Sequence, residues 1–337
     1  MADAVRQISY DRAEDYFDAI VFNQADGRIW RGVSDSSHSL VPRIARPDIL
    51  TRLAEKRGDL RTSYNVPASA SRVDAYEWFL TRSFYNAALE FGLDLPPVSA
   101  GLHAKLTSFK KPAIFAHDPR EAWPLLARMQ HLGIETRLLD WAKRPISALF
   151  FASVKGSEED ADIGVYEMPI PMLLRTQAAS RFTEPTRDTS DRALFTDALL
   201  VYAPSPQANT NMRTQSGLFT AAVSDFGMRS SRLSAVFKWE FCEADMFDHS
   251  ALWVHLWESW KTWTDRHADR TYHMYYGDVL EFEPLTLHIL CKSEVPKLRK
   301  RLDAVGISEF SMLREGFSTR ELMRRRVDDW LQTDDWT

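Results

Sequence analysis

At 337 residues the chain is long enough to bury a sizeable core, and 42 Lys+Arg against 47 Asp+Glu leave it a formal charge of −5. No global positive field would recruit nucleic acid or an anionic membrane, which argues against a general DNA or RNA binder. Cys242 and Cys291 are too few for a disulfide framework or a Cys-rich zinc site, no apolar run reaches the ~18 residues of a membrane span, and the polar start MADAVRQISYDRAEDY has no signal-peptide pattern; the expectation is a soluble cytoplasmic protein.

The first predicted element is a helix: Asp11 followed by Glu14 resembles a capping box, and Ala13, Tyr16, Phe17, Ile20 and Val21 recur at helical spacing. A turn at Asp26-Gly27 leads into RIWRGV, whose period-two alternation reads as a strand with Ile29, Arg31 and Val33 on one side and Trp30 on the other. Arg31 therefore shares a face with apolar neighbours. The stripe Tyr76, Phe79, Leu80, Phe84 and Ala87 predicts a helix over 73–91, and Trp123, Leu126 and Met129 predict another over 119–129.

QHLGIETRLLDWAKRPISALFFASV follows, from Gln130 to Val154. ETRLLDW alternates like a strand, and RPISALFFASV reads as a helix buried nearly all round, with Pro145 in its first turn. Gln130, His131, Arg137 and Asp140 thus fall at a strand-to-helix junction against the core. Unpaired polar groups are costly there, so these must bond to one another, to backbone or to a ligand.

DIGVYEMPI and RALFTDALLVYAP predict further strands, with an exposed polar loop from Arg175 to Asp191 between them. MRTQSGLFTAAV reads as a turn into a strand, with Gly217 relieving steric limits beside Gln215. Over 251–265, Trp253, Leu256, Trp257, Trp260 and Trp263 lie close to one helical face. LEFEPLTLHILCK then reads as a strand, VPKLRKRLDAVGI as a helix ended at Gly306, and STRELMRRRVDDWL as a terminal helix. Strands and helices mix without strict alternation, which predicts an α+β fold over a doubly wound sheet.

IWRGVSDSSHSLVPRIAR, the Gln130–Val154 block and RTQSGLF resemble the three signature blocks of FRG-domain proteins, named for a Phe-Arg-Gly motif. Trp30 stands in the place of the Phe, and Arg31 and Gly32 keep theirs. The resemblance runs from about Ile8 to Arg326 and includes LTLHILCKSEVPKLRKRLDAVGISEF, similar to the family's closing strand and helix. It implies one FRG-type domain over 1–326 with insertions near 175–191 and 245–275, followed by an acidic tail over 327–337. Such domains are widespread in bacteria and phages, often beside toxins or defence genes. A more remote likeness is to ADP-ribosyltransferases, with their Arg, Ser-Thr-Ser and Glu order along the chain. That resemblance implies a split mixed β-sheet surrounded by helices, NAD as substrate and no metal. It implies catalytic roles for Arg31, Asp140 and Gln215, and substrate-binding roles for Gly32, Gln130, His131, Thr136, Arg137 and Phe219.

Breaking the nicotinamide glycosidic bond passes through an oxocarbenium-like state that a carboxylate stabilises, and a guanidinium grips phosphate oxygens in bidentate fashion. Gln215 is an amide where the transferase pattern has Glu. Asp140 would supply the charge, or else Glu281 and Glu283, whose spacing puts both on one strand face. Plainer readings stand beside these. Arg31 and Asp140 would also serve as a buried ion pair fixing two strands. His131 would be a structural histidine on a turn backbone, or with Asp140 a base-and-orienter pair in a hydrolase. Neither Thr136 nor Ser147 sits in a nucleophile elbow. His249, His255, His267 and His273 match no zinc spacing, and the tryptophan stripe is either core or an oligomer or partner surface. The basic stretch from Lys297 to Arg326 is a solvated face or, with a nucleic-acid substrate, the backbone contact. Two functions therefore remain open. One is an NAD-consuming ADP-ribosyltransferase-like enzyme, a defence toxin acting on a protein or nucleic-acid acceptor or hydrolysing NAD. The other is a non-catalytic module sensing a nucleotide or phage component through the same pocket.

Overall fold

A computed structural model describes residues 5–22, 27–58, 72–108, 119–156, 160–170, 198–202, 217–223, 248–250, 252–254, 257–258, 283–308 and 312. The strands are β1 (Val5–Tyr10), β2 (Arg28–Val33), β3 (Leu139–Ala142), β4 (Ile163–Pro169), β5 (Ala198–Tyr202), β6 (Gly217–Val223) and β7 (Leu285–Leu290). They form one seven-stranded sheet in the order β1-β7-β4-β2-β3-β6-β5, in which β1 and β7 run parallel and the remaining pairs antiparallel. The helices are α1 (Ala13–Val21), α2 (Pro47–Arg57), α3 (Arg72–Glu90), α4 (Ala100–Thr107), α5 (Trp123–His131), α6 (Pro145–Gly156) and α7 (Val295–Ala304). The fold is α+β, with a mixed sheet and helices packed on it.

Three cores organise it. Helices α1, α6 and α7 cover one face of the β1-β7-β4-β2 half, where Tyr16, Phe17, Trp30, Leu149, Val165 and Leu298 meet. Ile29, Leu139, Trp141, Met168, Leu218, Leu287 and Trp253 fill the opposite face. A larger cluster gathers α2, α3, α4 and α5 against Leu138, Phe219 and Ala221. Each fully buried Leu, Ile or Phe in these clusters contributes roughly 1.5–3 kcal/mol of transfer free energy.

The strand alternation expected of RIWRGV is present: Ile29 lies in one core and Trp30 in the other. Gly32 follows Trp30 onto the α6 face. A Cβ there would lie 2.0 Å from the Ala148 carbonyl oxygen and 2.6 Å from the Ala152 nitrogen, so only glycine lets β2 and α6 approach this closely. Tryptophan is buried at position 253 as well, which makes that part of the stripe core. Leu256, Trp260 and Trp263, the 175–191 loop and the terminal helix lie outside the described residues.

Some local expectations are corrected. Helix α1 begins after Arg12, which makes no side-chain cap, so the Asp11/Glu14 capping box does not form. Instead the Ala13 N–H donates to Glu294 Oε2 at 3.1 Å, a cap supplied from the far end of the chain. The strand in ETRLLDW starts only at Leu139, because residues 135–137 each turn toward a different helix. Gly217 takes ordinary strand backbone opposite Ala142. Elements β1, α2 and α4 were not expected. β1 is an edge strand with a largely exposed face, and α4 opens on Ser99, whose Oγ accepts from the Leu102 N–H at 3.1 Å.

One feature of the sheet positions the site. β2 pairs with β4 at six positions but with β3 only at Trp30↔Ala142. The four strands β1-β7-β4-β2 and the three strands β3-β6-β5 therefore meet at a seam held by a single register pair.

Candidate functional site

Arg31 follows the seam pair on β2 and reaches across the opening. Its Nη1 donates to the Asp140 carbonyl oxygen at 2.7 Å and to Asp140 Oδ1 at 2.5 Å. Among the described residues these are its hydrogen bonds, and both use Nη1, so Nε and Nη2 are uncommitted there. The Arg31 side chain is 16% exposed and that of Asp140 57%, so the pair stands at an accessible mouth.

Behind Asp140 runs a polar relay. The end of α5 sets it: Gly133, at φ 85°, takes the left-handed conformation, its N–H donates to Gln130 O at 2.9 Å, and the Ile134 N–H donates to Met129 O at 3.0 Å. This pair of bonds is a Schellman motif, which turns the chain sharply after Leu132. Gln130 is thereby presented to the next segment. Its Nε2 donates to Asp140 Oδ1 at 3.2 Å, while its Oε1 accepts from Thr136 Oγ1 at 2.6 Å; Thr136 in turn accepts from the Leu138 N–H at 3.3 Å. Every dipole in this chain points its positive end toward the carboxylate. Desolvation pushes the Asp140 carboxyl up, but the Arg31 charge and hydrogen bond, its backbone and the Gln130 amide outweigh that and hold it below the usual range. Asp140 is ionised at neutral pH.

Two further groups surround Arg31. Arg46, the residue before α2, donates from Nε to Val41 O at 3.4 Å; burial and then the charges of Arg31 and Arg43 push its guanidinium down, so three cations share this region. On the far side, Trp141 Nε1 donates to Thr220 Oγ1 at 2.7 Å, and Thr220 Oγ1 lies 2.8 Å from His249 Nδ1. Burial, with Arg31 second, pushes His249 down to about 3, so this histidine is neutral.

The other expected site residues divide sharply. Thr136 and Gln130 belong to the relay, and His131 is the adjacent last residue of α5. Arg137 does not face the site: it is 5% exposed, its Nη2 donates to Asp74 Oδ1 at 2.5 Å, its Nε to Glu77, and its backbone N–H to Glu77 Oε1 at 2.6 Å. Arg137 precedes β3, and its side chain turns to α3. Gly32 packs against the α6 backbone, and Phe219, though the register partner of Asp140, is buried in the α2–α5 cluster. All three are engaged in ion pairs or packing. Glu283 lies before β7, paired with Arg28. Gln215 and Glu281 lie outside the described residues. Sequence reasoning missed Arg46, and also Glu135, which is 7% exposed and receives Arg52 Nη2 at 2.7 Å. The signal for Glu135 was present: a carboxylate in a stretch read as half buried needs a cation.

Residues 26–161 match the FRG domain family. This stretch is an FRG domain. Comparison with curated proteins and with solved structures finds no match. The FRG match takes in the first two blocks, and with them Arg31, Arg46 and the whole relay; RTQSGLF and the closing strand and helix lie beyond it. The FRG motif itself has a physical reading here. Its aromatic residue, Trp30, and its glycine face α6, while its arginine, alternating with them, projects from the opposite side of the strand to the seam.

Proposed function

We propose that the seam of the FRG domain binds the phosphate-bearing part of NAD and that the protein is an ADP-ribosyltransferase-like enzyme, acting in defence by transferring ADP-ribose to a protein or nucleic acid or by hydrolysing NAD in the cytoplasm. The observation that carries this reading is the division of labour at Arg31. One terminal nitrogen orients Asp140, and the rest of the fork is uncommitted among the described residues. A guanidinium so held is preorganised for an oxyanion, and Arg46 adds a second positive charge nearby. Asp140, ionised and partly exposed, is suited to stabilise the positive charge that grows on the ribose as the nicotinamide leaves with the bonding pair. Water or an acceptor side chain then adds to the ribose carbon.

A second reading has its own support. Asp140 is already paired with Arg31, and an acid neutralised by its neighbour contributes less to charge stabilisation, as in a site that binds a nucleotide without cleaving it. Nicotinamide release from NAD by the purified chain decides between them. Turnover lost on Arg31→Ala and reduced at least about a hundredfold on Asp140→Asn, with both variants folded, is the expected result. NAD binding without turnover selects the sensing module, and the absence of both removes NAD from the site.

A further inference from the structure

Away from the seam, on the face that carries α1, a row of polar side chains crosses four neighbouring strands. Tyr10 Oη on β1 is 3.0 Å from His288 Nδ1 on β7; His288 Nε2 is 2.8 Å from Glu167 Oε2 on β4; Arg28 on β2 donates from Nη1 to Glu167 Oε1 and from Nη2 to Glu283. The register partners of Tyr10, His288 and Glu167 are Leu290, Val165 and Trp30, so each contact is a diagonal one reaching two residues along the next strand. Long side chains bridge that distance in a sheet.

In the neutral form of His288 the Glu167 carboxylate, which can only accept, takes the imidazole hydrogen on Nε2, and Nδ1 is then the acceptor of the Tyr10 O–H. A hydroxyl, a base and an orienting acid thus stand in line, the arrangement by which a side-chain oxygen is made nucleophilic whatever fold it occurs on. The base and acid are sheltered, with side chains 6% and 12% exposed, while Tyr10 is only partly buried. A second phenol abuts the first: Tyr16 is fully buried, its ring 5.5 Å from that of Tyr10 at 70°, and its hydroxyl has no hydrogen-bond partner among the described residues.

We propose that Tyr10 is a nucleophilic phenol that His288 serves as general base, and that it accepts an acyl group from an activated carboxylic ester or thioester. Tyr10 Oη bonds to the carbonyl carbon as its proton passes to His288 Nδ1, and the ester oxygen or thioester sulfur leaves with the bonding pair and is protonated. A phosphoryl donor fits less well. Both terminal nitrogens of Arg28 are taken by carboxylates, and Arg6, the cation on the same face of β1, is four residues and so roughly 13 Å along the strand.

The test uses p-nitrophenyl acetate on the full chain, with peptide mass mapping to follow acetylation of Tyr10 against N-acetyltyrosinamide under the same conditions. Tyr10 is expected to react at least about tenfold faster than the free phenol. His288→Gln should bring it down to the free rate and Glu167→Gln part of the way, with the other tyrosines unchanged. A row that only fastens the edge strand gives Tyr10 no advantage, so a wild-type rate at or below that of the free phenol overturns the proposal. Unchanged Tyr10 reactivity in folded His288→Gln overturns it as well.

Discussion

Two residues held within the packing of the FRG domain, Arg137 and Gly32, make the clearest predictions. Arg137 holds two carboxylates in a dry setting, and burial pushes Glu77 up even with the guanidinium beside it. Arg137→Met should therefore cost about 3–5 kcal/mol at neutral pH, measured by urea unfolding. A carboxyl raised in the folded state favours folding below its unfolded pKa and loses that contribution as pH rises through its folded value. The deficit of Arg137→Met should thus narrow on acidification from about pH 7 to pH 4; a gap that widens would show that Glu77 is not the strained partner. Gly32→Ala meets backbone atoms of α6 that cannot rotate away, and should destabilise by on the order of 3 kcal/mol or more. A variant of wild-type stability would show that β2 and α6 part easily.

For whole elements, the sequence was most legible where a repeat of apolar residues met a marked end. Helix α3 follows its aromatic stripe, α6 its proline start and apolar run, and α7 its glycine stop. What escaped was set by partners far along the chain. The cap of α1 comes from Glu294, and β1 has too few apolar residues to announce itself before β7 pairs with it. The site was half legible for a similar reason: position in the motif marked Arg31 and Asp140, but no spacing distinguishes Thr136, whose hydroxyl serves the relay, from Arg137, whose guanidinium serves α3. The Tyr10 row was hidden because its members, one polar residue in each of four strands, become neighbours only through strand order. The Schellman turn after α5 carries its own test. Gly133→Ala forces a side chain into the left-handed region and should cost about 1 kcal/mol in thermal or urea unfolding, with ligand affinity falling further because Gln130 loses its aim.

At the scale of the molecule, the single register pair between β2 and β3 divides the sheet into parts of unequal firmness. Amides of β3 should exchange with solvent faster than those of β4 and β7, which are paired along their lengths, as measured by hydrogen exchange with mass spectrometry. Equal protection on both sides would show that Arg31 and the packed cores close the seam fully. The stretch 135–141 bears on this division in another way. Within seven residues Glu135 goes to α2, Thr136 to α5, Arg137 to α3, Asp140 to β2 and Trp141 to β6. Asp140 and Trp141 lie on β3, where side chains alternate between faces, so adding or deleting one residue ahead of them would exchange their faces. A side-chain exchange acts at its own position, whereas a change in the number of residues between Gly133 and Asp140 displaces the two ends of the relay relative to each other. In this region length is under tighter constraint than identity.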